Sequence, residues 1–379
     1  MAMDYVGSTE RMVHMLFART RRLWAACLIA AGLAAGLASG AAAWQIEPIA
    51  QGFDTPWAVE QLPEGGYLVT ERDGRLLYVD GATRHAISGV PRVAARGQGG
   101  LLDVTLPRDF ETSREVLLTY SKPQRGGGAG TALAVGELSA DNKRLLRVRD
   151  LFESVPASKG GRHFGSRVVE AADGTLFVTM GDRGDGETAQ DRTTHNGSIL
   201  RISRDGSIPD DNPFIGQNNI RPEIWSYGHR NPQGAGLDAQ GTLWTAEHGA
   251  RGGDEVNRIV KGSNYGWPVI SYGRHYSGAK IGEGTAKPGM SQPEFYWDPS
   301  IAPSGLLVHS GTNAPDWKGN IFVGSLKFDY IARLGGAPLA ELEQIKTEET
   351  LRVRDLIETP DGSILFLSVS QGTLYRLAP

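Results

Sequence analysis

One hairpin recurs six times along this chain. An apolar strand, a turn carrying Asp or Gly and a second apolar strand appear as WAVEQLPEGGYLVTER, LDVTLPRDFETSREVLLTY, SRVVEAADGTLFVTMGD, GAGLDAQGTLWTAEHG, GLLVHSGTNAPDWKGNIFVGSL and DLIETPDGSILFLSVS. Their turns centre near positions 65, 112, 174, 241, 318 and 362, and many copies run on into a further strand, as in GRLLYVDG, GSILRISRDG and GTLYRLAP. Past Ala43 there is almost no helical periodicity, so the chain reads as all-β. Six copies at intervals of roughly 45–80 residues fit four-stranded antiparallel blades with variable loops, hence a six-bladed β-propeller. A β-sandwich or two β-domains would also be all-β, but neither accounts for one hairpin recurring so regularly. WQIEPIA and GTLYRL, at opposite ends of the chain, are placed to complete one shared blade and close the ring. No linker or low-complexity stretch divides residues 44–379, which read as one domain; RGGGAG at 125–130 is a short hairpin loop.

The N-terminus reads as a removable export signal rather than as part of the fold. Arg19, Arg21 and Arg22 precede the apolar, small-residue run LWAACLIAAGLAAGLASG, and GAAA supplies a cleavage site after Ala43. TRRLW resembles a twin-arginine signal, alongside ordinary Sec export, and a retained anchor is the competing reading. The single cysteine, Cys27, lies inside this segment. The exported chain over 44–379 would therefore fold in an oxidising space without disulfides, which demands a large closed core. Removing residues 1–43 leaves 35 basic against 41 acidic residues. That mild acidity suits a periplasmic protein and excludes a basic nucleic-acid-binding surface. No second apolar stretch is long enough to span a bilayer, and the mature chain is expected as a monomer or homodimer.

The chain lacks a G-x-S-x-G elbow, an H-E-x-x-H pair, a P-loop and a G-x-G-x-x-G after a strand. Serine hydrolysis, zinc proteolysis, NTP hydrolysis and Rossmann-type nicotinamide binding are disfavoured accordingly. What remains lies in loops beyond the inner strands. His163, in GRHFGSR, precedes the third hairpin and could serve as a general base near neutral pH. Asp182, in GDRGDG, follows the companion strand and could fix the imidazole tautomer. Taken singly, each would more readily be a loop cap or a turn aspartate.

Arg230 and Asn231, in WSYGHRNPQG, open the next blade, where a guanidinium fork could hold a carboxylate or an oxyanion, or merely bridge blades. HGARGGDEVN and NYGWP supply oxygen-rich backbone, and Glu255 with the carbonyls of Gly249, Ala250 and Tyr265 would suit calcium. RVRD puts Arg352 and Arg354 two apart, on one face of an expected strand. With Lys327 in FVGSLKF they would form a cation cluster for a multivalent anion. A solvated strand face is the alternative, though like charges side by side would gain nothing there.

GQGGLLD, HFG, GDRGD, GHRNPQG, HGARGGDE, NYGWP, GSLK and RVRD occur in this order, and the set resembles the soluble pyrroloquinoline quinone (PQQ)-dependent aldose sugar dehydrogenases of glucose type. The resemblance covers nearly all the chain past residue 50. It implies PQQ and calcium in a polar pocket at one end of the propeller axis. It further implies His163 as proton acceptor, Asp182 orienting it, and Arg230 stabilising the developing oxyanion. Gln98, Arg230, Asn231, Tyr276, Lys327, Arg352 and Arg354 would contact PQQ. Gly249 and Ala250 would offer carbonyls to the calcium beside the cofactor, while Glu255 and Tyr265 would hold a second, structural calcium. The implied reaction passes hydride from the anomeric carbon of an aldose mono- or disaccharide to the quinone and yields the lactone, with a separate electron acceptor. Two departures stand out: Ala250 replaces a common proline, and Arg162 precedes the histidine where glucose-type relatives carry an acid. A calcium-dependent propeller hydrolase of lactonase type and a non-catalytic binding propeller are the rival readings. Neither has a use for the cation cluster.

Overall fold

Six sheets of four antiparallel strands follow one another along the chain in the computed structural model, which describes residues 45–378. The export signal expected over 1–43, its cleavage after Ala43 and Cys27 lie outside the described residues. In blades 1–5 the strands run from the inside outward in chain order, and each inner pair is one of the hairpins legible in the sequence. The inner strands are Pro56–Gln61, Leu101–Thr105, Val168–Glu170, Pro232–Leu237, Pro303–Val308 and Val353–Glu358. Blade 6 takes its fourth strand from the other end of the chain, Gln45–Gln51 pairing antiparallel with Thr373–Ala378. The expected all-β, six-bladed propeller, closed by a shared blade, is the fold observed.

The core lies between blades rather than within them. Apolar residues on facing sheets interdigitate in clusters that each span two neighbours, as Trp57, Leu68 and Leu76 of blade 1 do with Leu102, Val104 and Leu118 of blade 2. Near the axis the blades are also stitched by hydroxyls, because a buried backbone carbonyl there must find a donor. Thr70 donates to the Leu102 carbonyl at 2.6 Å, Thr119 to Ser166 at 2.7 Å and Thr179 to Pro232 at 2.9 Å, each one blade onward. Ser304 donates to Val353 at 2.7 Å in the same way. The Asp355 carboxylate ties blade 6 back to blade 1 by accepting from the Val59 amide at 2.9 Å.

Five of the six inner strands carry a register shift at their first residues, at Pro56/Ala58, Leu101/Val104, Pro232/Gly234, Pro303/Leu306 and Val353/Asp355. An extra residue in one strand re-aims its side chain away from the regular alternation. Trp57, Gln233 and Arg354 are such residues, and all three line one cavity at this end of the ring. Among the described residues no helix is long and apolar enough to cross a bilayer.

Candidate functional site

The cavity at the ring's end has a volume of about 460 Å³ and is walled by Trp57, Arg72, Gln98, Gln233, His248, Lys327, Arg352 and Arg354, with Ala302 and Leu326. Four cationic side chains thus face one space with no carboxylate in the lining. Burial, then Arg352, Arg167 and Arg72, push the Arg354 guanidinium down to about 9. Arg354 donates to the Gln233 side-chain carbonyl at 2.9 Å, and His248 Nε2 meets the same oxygen at 3.0 Å. Burial, with the charges of Arg230 and Arg354 nearby, holds His248 well below the usual histidine range. The expectation of one strand face for Arg352 and Arg354 needs correction. Arg352 stands in the turn before the strand, with φ 52°, and Arg354 is the bulged residue. Both reach the cavity through those departures from regular strand geometry.

At the rim, His163 is buried at 8% exposure, and its Nδ1 lies 2.6 Å from Asp182 Oδ1. Burial lowers the imidazole's affinity for a proton, Asp182 opposes that, and Arg230 and Arg162 reinforce it; the net direction is down. Burial also acts to raise the Asp182 carboxyl, but bonds from His163 and the Gly184 amide bring it below its ordinary value. A neutral ring beside an ionised carboxylate donates Nδ1–H and leaves Nε2 as an acceptor. Trp267 Nε1 donates to the other Asp182 oxygen at 2.9 Å and fixes its plane. The His163 amide donates to the Gln98 side-chain oxygen at 2.7 Å, linking the imidazole loop to the cavity wall. Asn231 takes part in this same support, accepting from the Gly165 amide at 3.1 Å.

Arg230 lies in an adjoining recess with Glu247, His248, Gly249, Gly253, Glu255, Tyr265 and Trp267. Its guanidinium sits over the Trp267 ring at 5.3 Å and donates to the His248 carbonyl at 3.2 Å, while its buried Nε has no partner among the described residues. Glu255 is directly across the sheet from Glu247. Burial and then Glu247 push its carboxyl up to about 8. The buried Asn257 side-chain oxygen nearby has no donor among the described residues. Such an acid pair and orphan acceptor suit a hard cation held by oxygens. No three His, Cys, Asp or Glu side chains converge on a metal position among the described residues, so carbonyls such as those of Gly249 and Ala250 would have to complete the shell. The Tyr265 hydroxyl is already engaged, donating to the Arg258 carbonyl at 2.5 Å and accepting from the Val260 amide. Tyr276 is 74% exposed and is not part of the cavity wall.

A family model described as glucose/sorbosone dehydrogenase matches residues 53–376. The chain belongs to the glucose/sorbosone dehydrogenase family. Within that family it is 41% identical over 343 residues to the aldose sugar dehydrogenase YliI of Escherichia coli, covering 88% of this chain and 92% of that one. It is 30% identical over 314 residues to quinoprotein glucose dehydrogenase B of Acinetobacter calcoaceticus, covering 74% of this chain and 64% of the other. The crystal structure of the soluble E. coli aldose sugar dehydrogenase in its apo-form superposes with a TM-score of 0.86 at 41% identity, over 89% of this chain and 99% of that one.

Within this family fold, sequence reasoning overlooked Trp57, Arg72, Gln233, His248 and Trp267 as site residues. Gln233, His248 and Trp267 stand inside the quoted motifs GHRNPQG, HGARGGDE and NYGWP, where the neighbouring residues drew the roles. Trp57 and Arg72 belong to the first hairpin, which carries no motif; the bulge that turns Trp57 inward leaves no signal in the sequence.

Proposed function

We propose that this chain is a periplasmic, PQQ- and calcium-dependent dehydrogenase that oxidises aldose sugars at the anomeric carbon to lactones. The observation that carries this reading is the cavity lined by Arg72, Lys327, Arg352 and Arg354 without a compensating acid. Like charges held together in a half-buried space cost free energy unless an anion joins them. PQQ bears three carboxylates, and a cavity of this size falls in the range of small-molecule sites. The 30% identical relative named a quinoprotein supports the same cofactor.

Lys327, Arg352 and Arg354 would bind the carboxylates, with Gln98 and Gln233 as polar walls. Calcium would take the carbonyls of Gly249 and Ala250, with Glu255 and Tyr265 assigned to a second ion; the orphaned Asn257 oxygen and the facing acids support a cation in this region. Bound there, the quinone supplies a two-electron acceptor and the metal a Lewis acid. His163 Nε2 accepts the proton of the anomeric hydroxyl, Asp182 stabilises the imidazolium that results, and Arg230 faces the developing oxyanion.

The test is reconstitution. Purified protein given PQQ and Ca²⁺, then a panel of mono- and disaccharides with an artificial electron acceptor, is expected to reduce the dye with aldoses. Absence of dye reduction with every sugar, together with lactone hydrolysis in the absence of PQQ, would replace this reading with that of a propeller hydrolase.

A further inference from the structure

Beneath the imidazole lies a cation that none of the foregoing roles uses. Arg183, adjacent to Asp182, is 5% exposed, and no carboxylate stands within ion-pairing distance of it among the described residues. Its guanidinium is instead spent on backbone. It donates to the carbonyls of Gly160 at 2.8 Å, Ala129 at 3.3 Å and Arg162, and stacks on the Phe164 ring with 3.4 Å from the guanidinium carbon to the ring centre. Its amide also donates to the His163 carbonyl at 3.3 Å. Every one of these partners except Ala129 belongs to the loop that carries His163.

That loop needs holding. His163 has φ 55° and Ser166 φ 100°, conformations that a side-chain-bearing residue adopts only when its surroundings over-determine them. Arg183 shares the left-handed state, at φ 57°. An isolated buried cation is costly, and burial pushes this one down to about 10. Charge-assisted bonds from a rigid planar fork compensate by fixing three carbonyls at once.

We propose that Arg183 is a positioning residue that clamps residues 160–164, and so sets the imidazole of His163 against the substrate. The proposal rests on the reading of His163 as the base. Its test compares Arg183→Met and Arg183→Lys with the PQQ-loaded wild type in amide exchange, PQQ affinity, KM and kcat. In Arg183→Met, exchange at Gly160 and His163 is expected to rise about tenfold or more, with other blades unchanged. kcat should fall about 10–100-fold, as for misplacement of a catalytic group by an ångström or so. PQQ affinity and KM should hold, and Arg183→Lys, which keeps the charge but not the fork, should recover part of the loss. Unchanged exchange in the loop, or a loosened loop with wild-type kcat, overturns the proposal; if Arg183→Met does not fold, Arg183→Lys is judged by the same two readings. His163→Ala separates the premise. Full turnover there sinks the base, and with it the catalytic half of this inference, without touching the exchange result.

Discussion

His163 can take a proton only while its ring is neutral, and its surroundings favour that state. Burial and the charges of Arg230 and Arg162 outweigh the pull of Asp182, so protonation requires a pH below the usual histidine range. On the proposed reading, kcat/KM is then flat through neutral pH and falls on the acid side with an apparent pKa below about 6.5. Replacing Asp182 by Asn removes the one group that raises the imidazole's basicity and frees the wrong tautomer. The acid limb should move lower still, and kcat should drop by about 10²–10⁴-fold, as when a triad carboxylate is lost. His163→Ala should keep PQQ binding and lose a similar factor of about 10²–10⁴ in turnover. A pH–rate series on the three proteins measures all of this, and an acid limb at ordinary histidine pKa in the wild type would contradict the electrostatics. The pairing of His163 with Asp182 was legible from their places at the ends of companion strands. The second carboxylate contact, to Trp267, was not, since it spans two blades with no sequence relation between the partners.

At the scale of strands, hairpins were readable because an apolar run, a Gly or Asp turn and another apolar run report directly on local backbone and burial. All six inner turns fall where the sequence placed them. Bulges were not readable, because a register shift is decided by pairing between strands. They nevertheless build the cavity, turning Trp57, Gln233 and Arg354 inward. The RVRD pair was identified by charge and misplaced by geometry for this reason. On the proposed reading, truncating Arg354 to Ala should weaken PQQ binding by about 1.5–3 kcal/mol, the range for hydrogen bonds to charged groups, with kcat at saturating cofactor less affected; cofactor titration by absorbance measures it. The hydroxyl stitches give a second, purely structural expectation. Thr119 accepts from the Asp103 amide at 2.9 Å and donates to Ser166 in blade 3. Thr119→Val keeps the shape and orphans both, so denaturant unfolding should show a loss of about 1–3 kcal/mol.

Across the whole molecule, charge is sorted along the propeller axis. One end gathers Arg72, Lys327, Arg352 and Arg354. Midway, Arg167 closes the central channel, ion-paired with Asp103 at 2.7 Å and Asp355 at 2.6 Å from inner strands of two other blades, with its guanidinium over Trp57. Beyond that plug the channel opens at the opposite end, with Glu60, Glu170 and Glu358 in its wall and Arg108 the cation among them. Among the described residues Glu60 has no ion pair. Burial, with Asp103 and Asp355 adding repulsion, pushes its carboxyl from 4.5 up to about 8 against the help of the Gln61 and Leu106 amides. A raised carboxyl means that the folded state holds a proton the unfolded chain has released, so Glu60 subtracts stability as pH climbs from about 4.5 to about 8. Glu60→Gln keeps the shape and removes that dependence. Glu255 is common to both proteins and cancels in the comparison, so the melting temperature of the variant should fall less steeply than that of the wild type between about pH 5 and 8. By pH 8 the variant should be the more stable by on the order of 1 kcal/mol, since Glu60 is partly exposed and already accepts from the Gln61 amide. Identical slopes for variant and wild type would mean that Glu60 titrates in the fold as it does in the unfolded chain, and would overturn this reading.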